Sequence, residues 1–173
     1  PQYHRSTWTW NGPIGITEMD FSLTQEQQIL SRTAREFLEA ECPTTVVREA
    51  ENSQEGYLPD LWKKMANLGW LGVSLPEDYG GIGGSLTDQT VLFEEIGRAL
   101  VPGPLLTSSV LAAQILLDSR NETQKQNLLP GIANGDLIVT LARGERLETS
   151  SDNTRIALSG ESLFVPFAGV ASH

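Results

Sequence analysis

Polar and apolar positions alternate along this chain with a helical period for most of its length. Thr24 and Gln27 have the spacing of a capping box, and Ile29, Leu30, Ala34, Phe37 and Leu38 then recur at helical intervals up to Pro43. A first helix is expected there. A stretch rich in Glu, Ser and Asn reads as a link ending at Leu58-Pro59, where proline suits the first turn of a second helix carrying Leu61, Trp62, Met65 and Leu68. Gly69 stops it at the position where a left-handed residue is needed. Trp70 to Leu75 is a short apolar run that reads either as an extended segment or as a buried turn. Ser85 with Asp88 caps a third helix, whose stripe is Val91, Leu92, Ile96 and Leu100.

The segment from Leu105 to Leu117 is uncharged and apolar on nearly every face, which places a fourth helix at the centre of the fold. Asn121 and Gln124 open a fifth, with Leu128, Leu129 and Ile132 inward, Pro130 expected to kink or shorten it, and Asn134-Gly135 closing it. The character then changes. Leu137 to Leu141 is apolar and β-branched, and Arg155 to Val165 alternates around Gly160, so strands are expected after the helices. The fold class is mainly α: a five- to six-helix bundle followed by the first strands of a β-domain. No internal repeat or low-complexity tract interrupts it.

Composition narrows the function. At 173 residues with 39% hydrophobic content, the chain can bury a core of ordinary size. Its net charge is -10, with the 12 basic residues scattered singly or in pairs, so it lacks the concentrated basic face that nucleic acid requires. The uncharged run from Ala99 is broken by Pro102, Gly103 and Pro104, and its remainder, Leu105 to Leu117, is shorter than the ~20 residues a bilayer demands. No membrane segment or signal peptide is expected. The single Cys42 has no partner for an internal disulfide, and His4 and His173 cannot build a metal site with it, which fits a reducing cytoplasm. Cys42 reads as a small core residue rather than a nucleophile.

The stretch LPEDYGGIGGS, Leu75 to Ser85, raises the question of a phosphate cradle. Such a cradle needs glycines followed by Lys-Ser/Thr, or a third small residue in the dinucleotide fingerprint. No lysine lies between Lys64 and Lys125, Leu86 stands where the small residue would be, and Glu77 and Asp78 would repel phosphate. A glycine-shaped corner between helices is the better reading, with Tyr79 anchoring it. Glu94 and Glu95 invite an acid–base pair. Adjacent helix positions point about 100° apart, so one carboxylate is expected in solvent and the other paired, with Arg98 in reach.

These residues also carry a resemblance. Leu68-Gly69 with Gly72, the loop from Pro76 to Gly83, and the helix from Glu94 to Arg98 together resemble the acyl-CoA dehydrogenase family. MDFSLTQEQQILSRTAREFLEAE is similar to that family's first helix, and NETQKQNLLPGIANGD to the segment that ends its helical domain. Leu158-Ser159-Gly160, Phe164-Val165-Pro166, Ala168 and Val170-Ala171 resemble the strands of its middle β-domain. Residues 1–18, rich in Gly, Pro, Thr and Trp without period and followed by Met19, read as an added leader; the resemblance implies a helical domain over 19–136 and an incomplete β-barrel domain over 137–173. It further implies an FAD-dependent α,β-dehydrogenation of an acyl-CoA thioester, an electron-transfer flavoprotein or other acceptor, and a homo- or hetero-oligomer.

Arg143-Gly144-Glu145-Arg146 stands about where the family's flavin-contacting Thr-Glu-Pro would be, with only Glu145 matching, and Phe164-Val165-Pro166 where its Trp-Ile-Thr wall would be. By resemblance, the cofactor edge falls on Leu141, Arg143, Gly144, Phe164, Val165 and Pro166, with contacts that are apolar or through backbone groups. Arg143 and Arg146 suit a pyrophosphate or CoA phosphate. The acyl-chain wall falls on Leu100, Leu105, Leu106 and Val110. The family's catalytic glutamate lies in a carboxy-terminal bundle beyond His173, so no catalytic residue is expected here. Two other readings stay open: a non-catalytic partner subunit of a heteromeric dehydrogenase, and a helical binding module with no thioester ligand.

Overall fold

The computed structural model describes residues 22–144, 148–151 and 156–173. The leader expected over 1–18, and Glu145, Arg146 and Arg155, lie outside them. Six α-helices are present among the described residues: α1 (Gln25–Glu41), α2 (Thr44–Glu51), α3 (Pro59–Asn67), α4 (Leu86–Arg98), α5 (Ala113–Asp118) and α6 (Glu122–Ala133). A π-helix, Leu105–Ala112, runs directly into α5. A hairpin of β1 (Glu148–Ser151) and β2 (Ile156–Ser159) comes after α6.

Local chemistry sets the helix starts. The Thr24 hydroxyl accepts from the Gln27 amide at 3.2 Å while the Gln27 side chain accepts from the Thr24 amide, and Ser85 and Asp88 reciprocate in the same way at α4. Asn121 Oδ1 accepts from the Gln124 amide. Pro59 opens α3, and Gly69 succeeds it in the left-handed conformation.

Helices α1 and α4 run in the same direction, because their contacts advance together. Gln27 Nε2 donates to Asp88 Oδ1 at 2.9 Å, Ser31 Oγ donates to Glu95 Oε1 at 2.9 Å, and Cys42 lies against Ala99. Beneath them, Leu38, Trp62, Met65, Leu71 and Leu92 form one core, with Phe37 edge-on to Trp70 at 5.1 Å. A second core joins Leu75, Ala113, Leu129 and Ile132.

Four features depart from expectation. The Glu/Ser/Asn-rich link contains α2, whose Thr-Thr-Val-Val start has weak intrinsic helix preference. Packing overrides it: Ala50 is fully buried, and Val46 and Val47 lie against the core. Helix α6 is not shortened at Pro130 and runs on to Ala133. Leu137 to Leu141 is extended but is no strand, because its amides are taken elsewhere. Leu137 donates to Gly131 O at 2.9 Å, Val139 to Ser108 Oγ at 3.1 Å, and Thr140 to His173 O at 3.0 Å. Finally, only Ile156–Ser159 of the expected second strand joins a ladder, antiparallel with Glu148↔Ser159 and Ser151↔Ile156 in register. Both strands are exposed along their whole length, so their alternation buries nothing. The backbone leaves the extended region at Phe164 (φ 57°), and residues 166–170, also expected as strand, form turns.

The glycine corner is built as a corner. Two single-turn 3₁₀ segments, Trp70–Gly72 and Glu77–Tyr79, fold the chain back on itself. The amides of Ile82, Gly83 and Gly84 then donate to the carbonyls of Gly72, Leu75 and Val73 at 2.8–3.0 Å. Those donors are used within the corner and are not presented to an anion. Tyr79 Oη donates to Glu122 Oε1 at 2.8 Å and pins the corner to α6.

Candidate functional site

Two backbone segments, remote in sequence, meet at the edge of the helical half. Thr140 Oγ1 donates to Pro166 O at 2.7 Å, and Ser162 Oγ donates to Arg143 O at 2.9 Å. The Ser172 amide donates to Ile138 O at 2.7 Å, and the Thr140 amide to His173 O at 3.0 Å. Val170 and Ala171 rest against the main core, which holds this arrangement on the helices.

These bonds bring the expected cofactor residues together. Leu141, Arg143 and Gly144 come from the first segment, and Phe164, Val165 and Pro166 from the second. Phe164 is 98% exposed and Leu141 43% exposed, with Leu163 beside Phe164 at 66%. Arg143 and Pro166 are exposed, while Gly144 and Val165 are half-buried. An apolar edge left in water carries an uncompensated hydration cost. That edge suits the face of a flat, largely apolar ring system, and Arg143 suits a phosphate group. The hydroxyls of Thr140 and Ser162 already donate to backbone carbonyls.

The expected acyl-chain residues lie in different surroundings. Leu105 is 3% exposed and belongs to the main core, Leu106 is 55% exposed, and Val110 is half-buried on the π-helix. Leu100, with φ 54°, borders a cleft of about 350 Å³ together with Arg35, Leu38, Cys42, Glu95 and Arg98. The cleft lining includes none of Leu105, Leu106 and Val110.

A π-helix packs one more residue per turn than an α-helix and is often found where function needs an irregular wall. Here it buries two hydroxyls. Ser108 Oγ receives the Val139 amide, whereas Ser109 Oγ has no hydrogen-bond partner. Gln89 on α4 is likewise 3% exposed with both amide atoms unpaired.

Glu94 and Glu95 divide as expected, one in solvent and one paired. Glu94 is exposed and pairs with Arg98 at 3.4 Å. Glu95 is buried and accepts from Arg35 Nε at 3.0 Å, Arg35 Nη2 at 2.7 Å, Ser31 Oγ and Arg98 Nε at 3.1 Å. The Arg35 hydrogen bonds outweigh burial and hold its carboxyl down at about 2. So strongly held an anion is a structural counter-ion, not a proton acceptor. Burial pushes the Cys42 thiol up, which leaves it unreactive. Among the described residues no group of His, Cys, Asp and Glu could hold a metal, and no helix is long and apolar enough to cross a membrane.

Sequence reasoning missed Thr140 and Ser162 as the side chains that join the two segments, and Arg35 as the main partner of Glu95. A serine or threonine that bonds a carbonyl 19 or 26 residues away leaves no periodic signal.

Comparisons with known proteins agree with one another. Residues 24–136 match the acyl-CoA dehydrogenase N-terminal domain. The chain is 32% identical over 144 residues to acyl-CoA dehydrogenase IpdE2 of Mycolicibacterium smegmatis, covering 82% of this chain and 45% of that protein. It is 32% identical over 155 residues to the mitochondrial isovaleryl-CoA dehydrogenase of Bos taurus, covering 87% and 36%. Among solved structures, the ChsE4-ChsE5 complex from Mycobacterium tuberculosis superposes with a TM-score of 0.80 at 28% identity, covering 88% of this chain and 43% of that one. The chain thus spans less than half the length of each of these relatives. With the domain match covering most of its length and the fold agreeing, this chain belongs to the acyl-CoA dehydrogenase family and carries its amino-terminal helical domain.

Proposed function

We propose that this chain forms the amino-terminal part of an FAD-dependent acyl-CoA dehydrogenase and contributes one edge of the flavin site together with part of the acyl-chain wall. The observation that carries the reading is the pairing of Thr140 with Pro166 and of Ser162 with Arg143, which brings together the two segments that carry the exposed apolar residues Leu141 and Phe164. When bound, FAD supplies the hydride acceptor for α,β-dehydrogenation of the thioester. This chain's own part is to orient and to exclude water. Leu141 and Phe164 cover a ring face, backbone groups of Val165 and Pro166 meet its polar edge, and Arg143 neutralises a phosphate of the cofactor or of CoA. Leu100, Leu105, Leu106 and Val110 form part of the acyl-chain boundary. None of these groups is a proton acceptor, and the base that removes the α-proton comes from elsewhere in the assembly. A reducing, cytoplasmic setting, an oligomer, and an electron-transfer flavoprotein as acceptor complete the reading.

Absorption spectroscopy of the purified protein with added FAD tests it. Retained flavin is the expected result for this chain, with bleaching on addition of an acyl-CoA expected only in an assembly that also supplies the base; absence of flavin retention in every preparation overturns the reading.

A second reading is favoured by one specific feature, the loss of the family's hydroxyl-bearing flavin residues, where this chain has Arg143-Gly144 and Phe164-Val165-Pro166. On this reading the chain is a non-catalytic subunit that packs on a flavin-bearing sister, and one structural relative is itself a two-component complex. Co-purification with a second dehydrogenase chain, with activity only in the mixture, would distinguish it.

A further inference from the structure

We infer that Thr140 is a positioning residue that sets the register of the flavin-facing edge against the helical core. This rests on the flavin reading above. Three consecutive residues distribute their bonds to different parts of the molecule. The Ile138 carbonyl accepts from the Ser172 amide, the Val139 amide goes to Ser108 on the π-helix, and Thr140 grips the returning segment twice, at His173 O and Pro166 O. Val139 is buried with its amide fixed to Ser108, while Thr140, one residue on, is half-buried and bonded to the returning segment. The path Ser108, Val139, Thr140, Pro166 is therefore a short mechanical link from the expected acyl-chain wall to the expected flavin wall.

The backbone bonds in this link can form with any residue at position 140, but the bond to Pro166 needs a hydroxyl. Pro166 O is the attachment point next to Val165, and with Ser162 it brackets Phe164. Phe164 is fully in solvent, with no packing of its own to hold it. Without the hydroxyl, the hydrogen bonds that remain to the first segment are those at Ser162 on one side and at Ser172 and His173 on the other, where Val170 and Ala171 also pack on the core. Because the Thr140 side-chain bond is exposed, water can replace it, and its loss acts on geometry more than on global stability.

Thr140→Val removes the hydroxyl at nearly constant shape, and Thr140→Ser retains it. On the 173-residue chain, two readouts are taken: hydrogen exchange at the Ser172 amide without any ligand, and FAD affinity from quenching of flavin fluorescence. Thr140→Val is expected to raise the exchange rate and weaken FAD binding, each by about tenfold, with an unchanged melting temperature, and Thr140→Ser to restore both. Unchanged exchange and affinity in Thr140→Val overturns the inference. So does a loss of affinity without a change in exchange, which would mean that the hydroxyl touches the ligand directly, and so does a failure of Thr140→Ser to rescue. Raised exchange in Thr140→Val with no FAD binding even by the unmodified chain upholds the link and instead removes the flavin reading.

Discussion

Arg35 on α1 and Glu95 on α4 meet in a two-point ion pair, Nε to Oε2 at 3.0 Å and Nη2 to Oε1 at 2.7 Å, with the carboxylate 2% exposed and the guanidinium half in water. The pair joins two parallel helices 60 residues apart in sequence. It is asymmetric, because the arginine remains hydrated while the glutamate depends on its partners.

That asymmetry predicts acid sensitivity. The Glu95 carboxyl lies at about 2 in the folded protein, below its ordinary value of 4.5. A depressed carboxylate contributes stability that is complete above its unfolded value and is lost as pH falls through the folded one. The window is therefore pH 4.5 down to 2, over which about 3 kcal/mol is withdrawn. Chemical denaturation at successive pH values should show this fall. Glu95→Gln should flatten it while costing about 3 kcal/mol at neutral pH.

Substitution at the glycine corner should be far more damaging than on the helix after it. A Cβ on Gly81 would lie 2.0 Å from the Leu75 carbonyl oxygen, a backbone atom that cannot yield, whereas one on Gly97 meets nothing within 4 Å. Gly81→Ala is expected to cost more than about 3 kcal/mol or to prevent folding, and Gly97→Ala to stabilise α4 by up to about 1 kcal/mol. Thermal melts of the two variants beside the parent chain decide it.

The two adjacent buried serines of the π-helix should respond oppositely. Ser108→Ala strands the buried Val139 amide and should cost about 1–3 kcal/mol. Ser109→Ala removes a buried hydroxyl that has no partner, so it should be neutral or stabilising. Urea midpoints of the two variants provide the comparison, and equal losses would contradict this account.

Cys42 should be inert while the chain is folded. It is 4% exposed and its thiol is raised by burial. An aromatic disulfide reagent is expected to titrate no thiol in native buffer and one thiol per chain in denaturant, with any native reaction proceeding at the rate of unfolding.

The helices were legible because their signals are local. Thr24 with Gln27, Ser85 with Asp88, Pro59 at the first turn and Gly69 after the last are decided within a few residues, and each forms as its spacing implies. Helix α2 was hidden because Thr44 to Val47 look β-prone, and the advantage of folding them as a helix comes from burying Val46, Val47 and Ala50 against other elements. The extended segment at 137–141 misled for the complementary reason. Its composition suits a strand, but whether a ladder forms depends on which acceptors reach its amides, and these are Gly131, Ser108 and His173.

The sequence by itself determined the helical class, the capped starts, the glycine corner and the family resemblance, since periodicity, capping and motif order are all properties of neighbouring residues. Only the tertiary structure decided that Arg35 holds Glu95, that Ser108 serves Val139, and that Thr140 reaches Pro166 to bring their two segments side by side. Each of these bonds joins residues 26 to 60 positions apart, where chain entropy leaves the pairing open until the cores have packed.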